Sequence, residues 1–252
     1  MARQTAISIN TIPIGPLGII GMPGCEELTD KIDQYLVKWR KTQASEHAES
    51  IAFFGYQRDT YKIDVSIPRF GSGEGKGVIN ESVRGYDIYI VCDVFNYSCS
   101  YDMYGRKVYM SPDDHFADLK RGISPLCSKP KRVSVIMPML YEGRQHKRSS
   151  RESLDCAMAL KELVHLGVEN IITFDAHDQR VQNAIPDKSF ENVMPTYQMI
   201  KALVNNVEDL NVDKDHLMII SPDEGALHRC IYFATQLGVN LGMFYKRRDY
   251  TK

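Results

Sequence analysis

Ser153–His177, SLDCAMALKELVHLGVENIITFDAH, decides the fold. Its first half carries Cys156, Leu160 and Leu163 at helical spacing behind Ser153, a capping-type residue, and stops at Gly167, a natural C-terminal cap. Its second half, Asn170–Asp175 (NIITFD), is a short unbroken apolar run ending in an acid and followed by Ala176-His177. A similar run, Arg132–Leu140 (RVSVIMPML), comes before the helix. Strand, helix, strand in this order is the unit of a parallel sheet, and unbroken apolar character suits strands covered on both faces.

Working outward, Tyr86–Phe95 (YDIYIVCDVF), His216–Ser221 (HLMIIS) and Val239–Tyr245 (VNLGMFY) read as three more strands. Glu26–Arg40 places Leu28, Ile32, Tyr35, Leu36 and Trp39 on one helical stripe. Ala226–Leu237 turns Leu227, Cys230, Ala234 and Leu237 inward and stops at Gly238. Lys41–Glu49 is polar and reads as a surface connection, and Asn96–Ser111 fits neither period, as a long loop or hairpin would. The expected class is α/β with right-handed crossovers. No internal repeat or low-complexity tract interrupts it.

Composition narrows the function classes. At 252 residues the chain can bury the core of one large or two small domains, and 43% hydrophobic with 25% charged residues excludes a disordered or collagen-like chain. Lys and Arg number 31 against 32 Asp and Glu, so no global basic field points to nucleic acid. Phosphate would have to be handled by local clusters. The longest apolar run, Ile12–Met22, is broken by prolines and glycines, which argues against a membrane helix or a signal peptide. Six cysteines without C-x-x-C spacing read as reduced, mostly structural thiols, so a cytoplasmic location is expected and the sequons at Asn80 and Asn96 are chance matches.

Four polar clusters follow the strands: Tyr141–Arg148, Asp175–Arg180, Ser221–Gly225 and Lys246–Arg248. Open α/β sheets bind ligands just past the carboxyl ends of their strands. The residue types suit a metal-bound polyphosphate. Mg²⁺ takes oxygen ligands from one or two carboxylates and completes its shell with water and phosphate, which makes Asp175, Asp178, Asp223 and Glu224 candidates. Arginine and lysine neutralise phosphate oxygens, and Gly225 ahead of a helix lets backbone N–H groups face an anion. Each cluster alone has a plainer reading as helix cap, turn, wet face or solvated tail. Their shared placement on one rim is what favours a site. Standard nucleotide motifs fail: around Phe70–Gly77 a P-loop would need glycine where Phe70 stands and Ser or Thr at Gly77, and G-x-G-x-x-G fails at Lys76.

From about Gly18 to Lys252 the chain resembles the ribose-phosphate diphosphokinase (phosphoribosyl pyrophosphate synthetase) family. The resemblance is carried by Phe70–Glu74, Asn80–Gly85, Tyr141 with Arg144-Gln145, Asp175-Ala176-His177 with Val181-Gln182, Ser221-Pro222-Asp223-x-Gly225 with Arg229, and Lys246-Arg247-Arg248. It implies two tandem phosphoribosyltransferase-like α/β domains with mostly parallel sheets, residues 1–190 and 191–252, the second incomplete. The implied reaction moves the β,γ-pyrophosphoryl group of ATP to the C1 hydroxyl of ribose 5-phosphate. By position, Arg144 and Gln145 would hold ATP, His177 and Asp223 would be linked to Mg²⁺, and Lys246 and Arg248 would sit on a loop closing over the transferring group. Phe70, Ser72 and Glu74 would reach the adenine site of a neighbouring subunit, which implies a homo-oligomer sharing its ATP site.

The sequence departs from that pattern at Ala176, Arg180, Asn183 and Ala226, and inserts residues near Asn96–Ser111. The family's Thr/Gly-rich loop for the sugar phosphate has no counterpart before Lys252, and Asp113-Asp114-His115 does not replace it. The expectation is therefore that the native chain continues or that this is a truncated product. Two functions follow: a Mg²⁺-dependent synthetase, or a catalytically silent subunit that binds nucleotide and assembles with partners. A third reading, an α/β domain whose polar strand ends are mere caps, leaves the ordered motif series unexplained.

Overall fold

The computed structural model describes residues 14–46 and 57–245. In chain order the elements are β1 (Leu17–Gly21), α1 (Glu26–Glu46), β2 (Val65–Ser66), β3 (Val78–Ile79), β4 (Asp87–Val91), β5 (Ser100–Met103), β6 (Arg106–Tyr109), α2 (Pro112–Ile123), β7 (Arg132–Met137), α3 (Asp155–His165), β8 (Asn170–Phe174), β9 (Ser189–Val193), α4 (Thr196–Asn206), β10 (Met218–Ser221), α5 (Leu227–Leu237) and β11 (Asn240–Met243). The chain divides into two compact units after Val193.

The first unit is built on a five-stranded parallel sheet in the order β1-β4-β7-β8-β9. Residues 61–63 run along the free edge of β1: Ile19 N–H donates to Tyr61 O and Ile63 N–H to Ile19 O, both at 2.8 Å. The chain thus leaves β1 in one direction and returns across it to β4. Alternation along the strands splits the core in two. Ile20, Ile88, Ile90, Val133, Val135 and Ile171 pack with Phe116, Leu119 and Ile123 of α2 and Cys156, Leu160 and Leu163 of α3. On the opposite face, Ile19, Tyr61 and Val91 pack with Ile32, Leu36 and Val37 of α1.

The α1 stripe is rotated from the expected one. Leu28, Tyr35 and Trp39 are exposed, whereas Thr29 and Asp33 are buried beside Ile32 and Leu36. Polar bonds set this rotation. The Asp33 carboxylate accepts from Tyr61 N–H at 2.6 Å and Thr60 Oγ1 at 2.8 Å, and Thr29 Oγ1 donates to Cys25 O at 2.7 Å. Gly21 leaves room for this, since a Cβ there would lie 2.5 Å from Thr29 Oγ1. The helix also runs on to Glu46, so the expected surface connection begins, at the earliest, in residues 47–49, outside those described.

The expected strands form with shorter ends, and β1, β2, β3, α2, β9 and α4 exceed expectation. β1 lies inside the broken apolar run Ile12–Met22, β9 is an alternating edge strand, and α4 follows it. α3 begins at Asp155, and Leu154 takes the N-cap without a side-chain bond. Ser153 is spent elsewhere: its hydroxyl donates to the Asp155 carboxylate. The segment Asn96–Ser111 contains a hairpin, β5–β6, paired antiparallel with Met103 opposite Arg106.

α2 has the clearest cap. Ser111 Oγ accepts from Asp114 N–H at 3.2 Å while the Asp114 carboxylate accepts from Ser111 N–H at 2.9 Å. Burial works against the Asp114 charge, but the Ser111 bonds and the positive charge of Arg69 outweigh it and hold the carboxyl below its ordinary value. A carboxyl depressed in the folded state adds stability above the unfolded value, near 4, and loses it as pH falls through the folded value. Asp114→Asn is therefore expected to cost about 1 kcal/mol at pH 7, with the deficit vanishing as pH falls through the depressed folded value, as read by urea unfolding at a series of pH values.

In the second unit β10 and β11 pair in parallel, with α5 contacting both. α5 ends at Gly238 as expected, but of its expected inward residues Ala234 is buried while Leu227, Cys230 and Leu237 are half-buried. Two strands offer too little apolar surface to cover a full helical stripe.

Candidate functional site

Two of the expected clusters meet at the carboxyl ends of adjacent strands. β7 ends at Met137 and leads into a loop that turns tightly at Leu140–Gln145, where Gly143 N–H donates to Leu140 O and Gln145 N–H to Glu142 O. β8 ends at Phe174 and leads through Asp175 (φ 45°) into a short 3₁₀ turn, Gln179–Ala184, capped by Asp178. The next strand anchors this second loop: Asp175 N–H donates to Val193 O and Ala176 N–H to Asn192 Oδ1.

His146 joins the loops. Its ring stands edge-on to that of His177, centroids 5.1 Å apart and planes at 63°, and its Nε2 lies 3.7 Å from Asp178 Oδ2. That separation is too long for a hydrogen bond. The His146 side chain is 10% exposed, and neither of its ring nitrogens has a hydrogen-bond partner among the described residues. Burial holds its imidazole below the ordinary histidine range despite the Asp178 charge. Its two ring nitrogens are polar atoms buried at a rim where a ligand could satisfy them. Asp178 itself is engaged. Arg180 grips its carboxylate through Nε and Nη2, and this bond depresses its pKa strongly. Arg180 was a departure in sequence, and here it shields the Asp178 charge.

The other candidates have distinct settings. Arg144 and His177 are exposed on the two joined loops. Gln145 donates to Ser153 O at 2.8 Å, tying its loop to the approach to α3. Tyr141 stacks on Phe116 (4.3 Å, 8°) and donates to Asp113 Oδ1 at 2.6 Å; burial and that carboxylate push its phenol far up, which makes it a structural post. In the second unit Asp223 Oδ1 accepts from Ala226 N–H at 3.0 Å and Ser221 Oγ donates to Asp223 O at 2.7 Å, so the plainer cap-and-turn reading describes part of what this motif does. Lys246 and Arg248 lie outside the described residues.

Phe70, Ser72 and Glu74 occupy a tight turn away from the joined loops in sequence. Phe70 N–H donates to Glu74 O and Gly73 N–H to Phe70 O, both at 2.8 Å, and Ser72 Oγ donates to Glu74 Oε2 at 2.8 Å. Phe70 is 57% exposed. Sequence reasoning missed His146 as the residue joining two loops and missed the contacts that fix this turn. The run Arg144–Arg148 does contain His146, but only the register β7–β8 shows what it faces.

The crevice where the chain reverses direction, between β1 and β4, is filled by the chain itself. Asn96 Nδ2 donates to Gly24 O at 2.9 Å and Asp93 N–H reaches Cys25 Sγ at 3.0 Å. Burial pushes the Cys25 and Cys156 thiols up to about 11, as suits structural cysteines and not nucleophiles. Among the described residues no group of three or more His, Cys, Asp or Glu side chains could hold a metal ion as a cage. No described helix is long and apolar enough to cross a membrane.

The chain is similar to known proteins. Residues 17–167 match the family described as the N-terminal domain of ribose phosphate pyrophosphokinase. The ribose-phosphate pyrophosphokinase of Aquifex aeolicus is 26% identical over 188 residues, covering 73% of this chain and 54% of its own length. That of Helicobacter pylori is 28% identical over 190 residues, covering 73% and 52%. The chain thus spans about half the length of these curated relatives. The crystal structure of phosphoribosylpyrophosphate synthetase from Mycobacterium smegmatis superposes with a TM-score of 0.69 at 20% identity, over 92% of this chain and 65% of that one, a likeness of fold.

Proposed function

The chain belongs to the ribose-phosphate pyrophosphokinase family, and from that premise we propose that it binds Mg-ATP at the joined loops and takes part in pyrophosphoryl transfer to the C1 hydroxyl of ribose 5-phosphate, for nucleotide biosynthesis. The observation that carries the reading is the meeting of the β7 and β8 loops through His146, His177 and Asp178.

Transfer of this kind needs positioning and charge neutralisation more than covalent chemistry. The nucleophile is a sugar hydroxyl, so no protein nucleophile is required, in keeping with the protonated buried thiols. Arg144 is exposed and able to present a guanidinium fork to phosphate oxygens. Gln145, held by Ser153 O, keeps that loop in place and adds an amide. By the resemblance, His177 beyond β8 is assigned to Mg²⁺ in the first unit, and Asp223 beyond β10 carries the same assignment in the second. Mg²⁺, when bound, neutralises the phosphate charge. Lys246 and Arg248 supply cationic groups to the transferring phosphoryls. The turn Phe70–Glu74 offers an aromatic ring, a hydroxyl and a carboxylate to the base of a nucleotide held by a second copy of the chain, so the assembly is a homo-oligomer. A cytoplasmic location follows from the same reading.

Calorimetric titration with Mg-ATP tests the binding step. The wild-type chain should bind, and Arg144→Ala should weaken binding about thirtyfold through loss of a charge-assisted bidentate contact. Equal affinity in the two proteins would remove Arg144 from the site.

A further inference from the structure

We propose that the β5–β6 hairpin is a brace that holds the Phe70–Glu74 turn in its base-contacting form, with Tyr101 as the positioning residue. The proposal rests on the assignment of that turn to nucleotide.

The turn needs a brace. Glycines stand at positions 71, 73, 75 and 77, and a glycine-rich loop loses more conformational freedom on ordering than other chain segments. Its own bonds are Phe70 N–H to Glu74 O, Gly73 N–H to Phe70 O and Ser72 Oγ to Glu74 Oε2, with Lys76 N–H donating to Pro68 O at its base. Further restraint comes from outside the turn. Tyr104 N–H in the hairpin donates to Gly71 O at 2.9 Å. Gly73 (φ 90°) comes so close to the hairpin that a Cβ there would lie 3.0 Å from Met103 Sδ and 3.3 Å from the Tyr101 ring.

Arg69 completes the junction. One arm of its guanidinium donates to Gly73 O at 3.2 Å and the other to Asp118 Oδ2 at 2.6 Å, while its carbon centre lies 4.4 Å from the centroid of Tyr101. Asp118 is 2% exposed and also holds Arg121, so the far end of the network is rooted in α2. The Tyr101 ring therefore sets the plane in which Arg69 must lie to reach Gly73 O.

Exposure along the hairpin follows the same logic. On β5 the half-buried residues are Tyr101 and Met103, the two facing the turn, while Ser100 and Asp102 are exposed. The turn shows the complementary pattern: its backbone is tied down and its Phe70 and Glu74 side chains stay open to solvent. Tethered backbone with exposed recognition groups is what preorganisation requires, because the ordering cost is met before the ligand arrives.

The test uses the full chain and two variants, Tyr101→Ala and Tyr101→Phe, with Mg-ATP as the probe. Amide hydrogen exchange at Gly73, whose N–H is bonded to Phe70 O, reads the turn directly. Tyr101→Ala should speed that exchange and raise the Kd for Mg-ATP, each about tenfold, while Tyr101→Phe, which keeps the ring, should stay within about twofold of wild type. Exchange at Gly73 unchanged in Tyr101→Ala overturns the brace whatever the affinity does. Faster exchange without loss of affinity supports the brace and overturns the assignment of the turn to nucleotide. Should Tyr101→Ala fail to fold, Met103→Ser removes the other contact to Gly73 and is read in the same way.

Discussion

Asp118→Ala is expected to lower the stability of the first unit by about 3 kcal/mol, the cost of leaving a buried cation without its partner. Asp118 lies on the buried face of α2 at 2% exposure and holds Arg69 and Arg121, each at 2.6 Å. Arg69 is itself 11% exposed, so it cannot recover the lost bond from water without moving. Moving it releases Gly73 O and unstacks it from Tyr101. The loss should appear as a lower urea midpoint with an unchanged slope, since the folded and unfolded surfaces are otherwise the same. Asp118→Asn, which keeps the shape and one acceptor oxygen, should lose about half as much. A midpoint for Asp118→Ala equal to wild type would mean that Arg69 is solvated and the network is not a unit.

Lys246→Ala is expected to reduce kcat about a thousandfold while the Kd for Mg-ATP changes less than about threefold. A cation that meets charge developing on the transferring phosphoryls stabilises the transition state more than the bound nucleotide, so its loss falls on turnover. Single-turnover AMP formation separates the two effects. A parallel fall in affinity and turnover would instead make Lys246 an ordinary phosphate contact.

Much of the fold was legible because buried parallel strands leave a plain signature. The runs at 86–95, 132–140 and 170–175 became β4, β7 and β8, and Cys156, Leu160 and Leu163 face the core as their spacing required. β1 was hidden because Gly18 and Gly21 look like breakers, whereas they let neighbouring side chains pack against the strand. β9 was hidden because an edge strand of alternating polar and apolar residues is only five residues long. The α1 stripe was misplaced by one position because Asp33 is buried for its bonds to Thr60 and Tyr61, partners distant in sequence.

The candidate site was legible in its addresses and less so in its contacts. Strand ends named the Tyr141–Arg148 and Asp175–Arg180 clusters, but which side chains meet across them depends on sheet register. His146 against His177 and Asp178 is a product of β7 lying beside β8. The Phe70–Glu74 turn was singled out by resemblance, while the hairpin that contacts it fitted neither period in the sequence.

The most direct measurement of the central claim is phosphorus NMR of the purified chain with Mg-ATP and ribose 5-phosphate. AMP should appear mole for mole with a ribose 5-phosphate carrying a pyrophosphoryl group at C1, as cleavage between the α and β phosphorus atoms requires. ATP that binds but stays intact, or the appearance of ADP, would contradict pyrophosphoryl transfer by this chain.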